Sequence, residues 1–385
     1  VRRHADAPLN PRRNRLQLLE ITSHGFRNLS PDPVPFGAGV TLVVGENAQG
    51  KTNLLEAVAL VCGQRSFRGA ISADMAGDGE RFAIEGRLSG RLGLERIAVT
   101  WSKEEGRSFA RAGKAAGFRE ISELAPAVFL APEHRDLIAG APTARRRFLD
   151  RLVVGLKPAA GDDLVRYAAA LRERNALLAR LKASRAAAAG ASGELDAWTE
   201  ELSVAGAAVR RHRIEALSQW ENDFRPLARQ AAGDYGAIEV AYTATSDSAD
   251  AMRRECERLA ALERRRGYSL SGPHRDDLVW SRRGRALAAE ASSGEIARTV
   301  ALAKLAEWKA VARAAGEPPL FAADDFDAGL SDASVEEFFE ALPREAAVLL
   351  TTAASPARWS RRAAAVLEMR GGRVSAPRVL RAVEG

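Results

Sequence analysis

Apolar positions fall into two textures along the chain. In the N-terminal part they come as short runs, Leu16 to Ile21 and Val40 to Val44, the second ending directly in a glycine-bearing loop. Phe82 to Leu88 and Leu94 to Trp101 partly alternate apolar with polar residues, the period-two pattern of a half-buried hairpin. From about Ala144 to Leu181 the chain is rich in Ala, Leu and Arg, with Pro158 as its one interior proline. There Leu164, Tyr167, Ala168, Leu171 and Leu178 lie close to one helical face. The Gly/Ala/Ser segment from Ala186 to Gly193 interrupts the pattern like a loop tip. Helical spacing then resumes with Leu195, Trp198, Leu202, Ala205 and Val209, and continues through Leu217, Trp220 and Phe224. Two long helices joined at such a tip predict an αα-hairpin whose apolar stripes are packing seams.

After Gly267 the α/β texture returns. Pro319 to Ala323 and Ala346 to Thr351 read as buried strands, and Ala297 to Ala315 as a helix. Ala363 to Met369, then Gly371-Gly372 and Val374, read as a closing hairpin. The pattern therefore predicts a basic flexible tail over 1–14 and an α/β domain in two pieces, 15–130 and 267–385. A mainly helical lobe, 131–266, is inserted between them.

Composition narrows the class. Of the 385 residues, 46% are hydrophobic and 28% charged, an ordinary balance for a soluble globular protein. No run approaches the roughly 20 apolar residues that cross a bilayer, and the basic tail lacks the apolar core of a secretory signal. Cys62 and Cys256 are too few for a disulfide framework or a cysteine-rich zinc site, which points to a reducing cytoplasm. The net charge of +7 suits either an anionic partner such as nucleic acid or a solvated basic surface.

The chemistry is concentrated at three places. Gly45-Glu46-Asn47-Ala48-Gln49-Gly50-Lys51-Thr52 fits the Walker A phosphate loop without a gap, with a strand before it and a helix from Asn53 onward. The loop's backbone N–H groups and the helix N-terminus face phosphates. Lys51 is expected to reach the β- and γ-phosphates and Thr52 to ligate Mg²⁺. Asp324-Asp325, closing the apolar run Leu320-Phe321-Ala322-Ala323, fits a Walker B strand. Asp324 would hold the metal there, and Asp325 would orient or deprotonate the attacking water. Ser292-Ser293-Gly294-Glu295 opens a helix and offers another anion-binding end, although Ser-x-x-Glu is also a plain capping box. The expected nucleotide contacts are thus residues 45–53 with Ser292, Gly294 and Glu295. Lys51, Asp325 and Ser292 are the candidate catalytic groups, and Thr52 and Asp324 the metal ligands.

A signature helix placed just before Walker B, with the lobe between Lys51 and Ser292, resembles the ABC heads of SMC proteins and related repair ATPases. Three further segments resemble the RecF family in particular. They are Arg65-Ser66-Phe67-Arg68; Ala131-Pro132-Glu133 with Leu137 to Pro142 and Arg145 to Asp150; and Leu270-Ser271-Gly272-Pro273-His274-Arg275-Asp276-Asp277-Leu278. The resemblance runs from about Leu16 to Thr352. It implies an ABC-type P-loop ATPase head, discontinuous in sequence, with a short inserted arm. It also implies a cytoplasmic, weak DNA-dependent ATPase that dimerises around two ATP molecules and binds double-stranded DNA near single-strand gaps and junctions. RecO and RecR are its implied partners in placing a recombinase. In such a dimer Ser292 of one copy completes the γ-phosphate shell of the other. The residues that would touch DNA are not identifiable.

Several positions depart from the family pattern. Gly329-Leu330-Ser331-Asp332 stands at the D-loop, His134 follows Pro132-Glu133, and no glutamine occurs between Gln64 and Gln219 to act as a Q-loop. Glu133 is the candidate for that place. Thr351-Thr352-Ala353 offers no histidine at the switch position, and Asp325 is one methylene shorter than the usual glutamate. Together these predict slow turnover with ATP binding retained. Arg145-Arg146-Arg147 reads either as a DNA contact or, the favoured reading, as a helix start whose arginines pair with acids such as Asp150 or Glu133. His274 reads as part of a polar network. Other readings of the same head are an ABC transporter subunit, which the helical insertion argues against, and a regulatory ATPase coupled to a nuclease or other effector.

Overall fold

The computed structural model describes residues 15–183, 192–232, 237–244, 247–342, 346–354, 359–375 and 378–379. The expected tail over 1–14 and most of the expected tip over 186–193 lie outside these residues. Two compact units emerge, Val1–His134 with Ser293–Gly385, and Arg135–Ser292.

The first unit is built on two sheets. One is six-stranded: Gln17–His24 pairs antiparallel with Val34–Pro35 and with Arg81–Gly90, and the order continues through Gly93–Ser102, Gly106–Arg111 and Lys114–Ala116. The hairpin expected from alternation is the pair Arg81–Gly90 and Gly93–Ser102, with Phe82, Ile84, Ile97 and Val99 buried. The other sheet runs, from one edge, Arg373–Val374, Ala365–Arg370, Val40–Val44, Val348–Thr352, Leu320–Ala323 and Ala127–Leu130, with Arg378–Val379 also on Ala365–Arg370. From Ala365–Arg370 to Ala127–Leu130 the neighbours are all parallel. Near-continuous apolar runs such as Leu320-Phe321-Ala322-Ala323 suit strands covered on both faces. The helix Lys51–Val61 is buried over almost its whole length, and one apolar cluster unites its Leu54 to Val61 with residues of both sheets.

The second unit carries the helices Pro142–Leu156, Gly161–Ala183, Ser192–Ala232 and Ala249–Arg266. Pro158 divides what the pattern offered as one segment: the first helix ends at Leu156, and Lys157 leaves helical geometry at φ −144°. Gly161–Ala183 and Ser192–Ala232 pack on each other, and Leu195, Leu202, Ala205, Val209, Leu217, Trp220 and Phe224 are buried as the periodicity implies. On the partner helix Leu164, Tyr167, Leu171 and Leu178 of the expected stripe pack into the lobe's apolar clusters. Ala168 is exposed, and Tyr167, Ala170, Arg174, Leu177 and Leu178 point inward. Hydropathy could not place Arg174 there, because a buried arginine becomes tolerable only when its partners are present.

The units also divide at a different residue from the expected boundary at 267. Asp277–Arg282 pairs antiparallel with Ile238–Thr243, over Asp277↔Thr243 to Arg282↔Ile238, and so joins 267–292 to the lobe. Among the described residues no helix is long and apolar enough to cross a membrane.

Candidate nucleotide site

Parallel pairing aligns the carboxyl ends of neighbouring strands, where ligands of open α/β sheets bind. Val44 is in register with Thr352, and Ala323 with both Leu350 and Leu130. The turns at 45–52, 131–133 and 324–327 and the strand end at 351–352 therefore share one edge of the sheet.

The phosphate loop turns through left-handed geometry at Ala48 (φ 65°) and Gly50 (φ 112°), and the helix begins at Lys51. A glycine at Gly50 meets a backbone that side chains rarely adopt. The Lys51 ammonium folds back on its own loop, donating to the carbonyls of Gly45 at 2.8 Å and Glu46 at 3.0 Å. The Thr52 hydroxyl donates to Asp324 Oδ2 at 2.8 Å, uniting residues 272 positions apart in sequence. The other carboxylate oxygen, Asp324 Oδ1, accepts from the Thr351 hydroxyl at 2.6 Å. Asp325 stands at φ 41°, in the left-handed region that few residues other than glycine occupy. Its Oδ1 is buried without a hydrogen-bond partner, while its N–H donates to Thr351 Oγ1 at 2.9 Å. Burial pushes the Asp325 carboxyl above the usual range, the neighbouring Asp324 adds to this, and Lys51 opposes it.

Glu133, in the short turn after Ala127–Leu130, has its carboxyl raised by burial and then by the charge of Asp324, with Arg68 opposing. That places it within electrostatic reach of the Walker B aspartate. The following residues are held by the second threonine: Thr352 Oγ1 donates to Asp327 at 2.9 Å, and Trp359 Nε1 to Asp327 Oδ2 at 3.1 Å. Ser331, at the departing D-loop, caps the helix Asp332–Ala341 by accepting from Ser334 N at 3.3 Å.

Thr52 and Asp324 form an oxygen-only donor pair suited to a hard cation. Among the described residues no group of three His, Cys, Asp or Glu side chains could hold a metal by itself, so such an ion would complete its shell from phosphate and water. The signature residues straddle the boundary between the compact units. Ser292 is the last residue of the second unit, and Ser293 opens the helix Ser293–Ala315 of the first. Gly294 lies where an added Cβ would be 3.3 Å from the Gly329 carbonyl, and the Thr299 hydroxyl donates to Glu295 O at 2.7 Å.

Some of the site's support gave little sign in the sequence. Glu56, fully buried on the phosphate-loop helix, accepts from Arg27 Nε at 3.0 Å and from the Ser66 hydroxyl. Ser66 Oγ also accepts from Arg68 N at 3.2 Å and Ala70 N at 3.3 Å, so the serine of the Arg65–Arg68 segment organises a turn. From the far end of the chain, Gly371 N donates to Gln49 Oε1 at 2.7 Å and Gly372 N to Gln49 O at 2.7 Å. Gly372, at φ 79°, packs so closely that a Cβ would come within 1.7 Å of Asn28 O. Only the paired glycines after an apolar run hinted at a turn there.

The segment Leu270–Leu278 serves the interior of the lobe. Asp276 accepts from Arg210 Nε at 2.9 Å and Nη2 at 2.7 Å, and from the Tyr242 hydroxyl. Asp277 accepts from Arg145 at 2.6 and 2.9 Å. Arg145 thus pairs as expected in kind, but with Asp277, whereas Asp150 takes Arg213 at 2.8 Å. His274 bonds the Tyr167 hydroxyl at 2.6 Å and Ser269 O at 3.1 Å, and burial pushes its imidazole down to about 4.

A sequence family described as an AAA domain matches residues 20–111. The DNA replication and repair protein RecF of Heliobacterium modesticaldum is 34% identical over 323 residues, covering 80% of this chain and 85% of its own. That of Synechococcus sp. (strain JA-2-3B'a(2-13)) is 32% identical, covering 91% and 95%. Among solved structures, the recombination mediator protein RecF-ATP in RecFOR pathway superposes with a TM-score of 0.84 at 23% identity, covering 97% of this chain and 99% of that one. The Smc head domain of Pyrococcus furiosus with an extended coiled coil gives 0.52 at 16%, covering 94% and 96%. The fold is that of an ABC-type ATPase head carrying a helical lobe. The chain belongs to the RecF family of DNA replication and repair proteins.

Proposed function

We propose that the chain is an ATP-switched DNA-binding protein of recombinational repair. The observation that carries the reading is the 2.8 Å bond between Thr52 and Asp324, made beside Lys51. It joins the hydroxyl and the carboxylate that together would hold Mg²⁺ against the β- and γ-phosphates of ATP. The ion would neutralise charge on the transferred phosphoryl group. Around it, the backbone N–H groups of residues 45–52 and the Lys51 ammonium bind the phosphates. Asp325, its carboxyl raised and one oxygen enclosed, orients the attacking water and takes its proton.

Turnover is slow in this reading, because the aspartate has a shorter reach than the usual glutamate and the switch position lacks a histidine. ATP acts chiefly as interface material. Ser292, Gly294 and Glu295 of one copy close over the γ-phosphate bound by another, and hydrolysis removes those contacts. Relatives named for DNA replication and repair, and a structural neighbour named within the RecFOR pathway, support double-stranded DNA at gaps and junctions as the ligand. They likewise support RecO and RecR as partners. The net charge of +7 is compatible with phosphate contacts that read little sequence.

The test is binding to a gapped duplex with and without Mg-ATP, for the wild type and Lys51→Met. Tight binding that needs both ATP and Lys51, and weakens with salt, is the expected result. Equal and weak binding in every arm would remove DNA as the ligand and favour a head coupled to another effector. Light scattering that finds a monomer in saturating Mg-ATP would remove the dimer.

A further inference from the structure

We propose that Thr351 is the positioning residue of the catalytic turn, one hydroxyl setting both the metal-facing carboxylate of Asp324 and the main chain of Asp325. The proposal rests on the nucleotide reading above and adds a part to it. A threonine hydroxyl has one hydrogen to donate and two lone pairs with which to accept. Here the hydrogen goes to Asp324 Oδ1 at 2.6 Å, a charge-assisted bond, and a lone pair receives Asp325 N–H at 2.9 Å. The same residue's carbonyl accepts from Phe326 N at 3.1 Å, so three successive residues of the turn are tied to one strand end. Thr351 is fully buried, and water cannot substitute for these bonds without a rearrangement.

The double bond answers a specific problem of geometry. Asp325 has to stand at φ 41°, where its backbone is strained, for its carboxylate to lie beside Asp324 and Lys51 with Oδ1 enclosed. A polar anchor on its N–H holds that conformation. The same oxygen engages Asp324 Oδ1, leaving Oδ2 directed toward Thr52. The first residue of the Thr351-Thr352-Ala353 segment thus has its own task. Thr352 does not share it, because its hydroxyl is committed to Asp327.

The experiment uses the full chain as wild type, Thr351→Val and Thr351→Ser. Valine keeps the shape and deletes both hydrogen bonds; serine restores the hydroxyl. Thr351→Val is expected to lower kcat by about 10- to 100-fold, the usual cost of losing a residue that orients a metal ligand. It should raise the Mg²⁺ concentration that half-saturates binding of a fluorescent ATP analogue by about tenfold. With Mg²⁺ saturating, KM should change by less than about threefold, since orientation and not ground-state binding is lost. Thr351→Ser should recover both quantities to within about threefold of wild type, and all three proteins should melt within a few degrees of one another. A valine variant with wild-type turnover and Mg²⁺ requirement would overturn the proposal. So would a serine variant as impaired as valine, which would assign the effect to methyl packing, or a valine variant that fails to fold, which would make the hydroxyl an element of stability. A wild type that binds no nucleotide would instead sink the nucleotide reading itself.

Discussion

In the core of the helical lobe each buried arginine ends on a carboxylate: Arg174 on Glu263 at 2.7 Å, Arg210 on Asp276 at 2.7 Å and Arg213 on Asp150 at 2.8 Å. At the strand ends of the head, Lys51 donates to main-chain carbonyls, Asp324 accepts from two hydroxyls, and Asp325 Oδ1 is buried with no hydrogen-bond partner among the described residues. Opposite charges stand close in both places, but only in the lobe do they neutralise one another directly. Buried pairs of the first kind mainly fix shape, because removing one partner strands the other in a poor solvent. The second arrangement keeps cation and carboxylates apart and oriented, the condition in which shifted pKa values accompany chemistry. The contrast separates the phosphate-loop pattern from the family-like segment 270–278, in which His274 reads as part of a polar network. Lys51 and Thr52 meet loop carbonyls and Asp324, whereas Asp276 and Asp277 pair with arginines of the lobe.

The sharpest way to break this comparison is to delete one charge from each side. Arg174→Met leaves the fully buried Glu263 carboxylate, among the described residues, with the Leu270 N–H at 2.7 Å as its remaining hydrogen bond. The expected loss is about 3–5 kcal/mol of stability, read by denaturant unfolding. Lys51→Met should do the reverse, lowering ATP hydrolysis by about a hundredfold or more while the melting temperature stays within a few degrees. If Lys51→Met unfolded the protein, or Arg174→Met left its stability untouched, the distinction would collapse. The smallest effect expected concerns protons. Folded His274 stays neutral down to about 4, whereas unfolded histidine takes up its proton near about 6.5. Between those values the unfolded chain binds the extra proton, so stability is present above the window and is lost as pH falls through it. Unfolding at pH 5 should show about 1–2 kcal/mol less stability from this group than at pH 7. His274→Gln should flatten that difference, and a variant with an unchanged pH slope would assign the slope to other groups.

How far the molecule was legible in its sequence followed the range of the interactions concerned. The strands and helices at 40–44, 51–61, 293–315 and 320–323, and the two long helices of the lobe, are local patterns, and each stands close to where the residues put it. What escaped depends on partners distant in the chain. The edge at 267 moved because Asp277–Arg282 finds Ile238–Thr243, a pairing no local window contains. Arg174 sits in an apolar stripe because Glu263, Thr199 and Ser269 await it, at 2.7, 2.9 and 2.7 Å. Thr351 was noticed only as the neighbour of a missing histidine. Its own chemistry becomes visible once Leu320–Ala323 and Val348–Thr352 lie side by side.

The bonds from Gly371 and Gly372 to Gln49 carry a consequence for biosynthesis. A ribosome releases Gln49 long before Gly372, and the strands that flank Val40–Val44, at 348–352 and 365–370, also emerge late. Until then the phosphate loop lacks both neighbouring strands and the turn that braces it. Pairings of such long sequence separation form slowly and leave strand edges exposed while they wait. The inserted lobe, residues 135–292, is translated in full during that interval. Nucleotide competence is therefore expected to arise at the end of translation, so that a nascent chain still short of the 371–372 turn should not retain ATP.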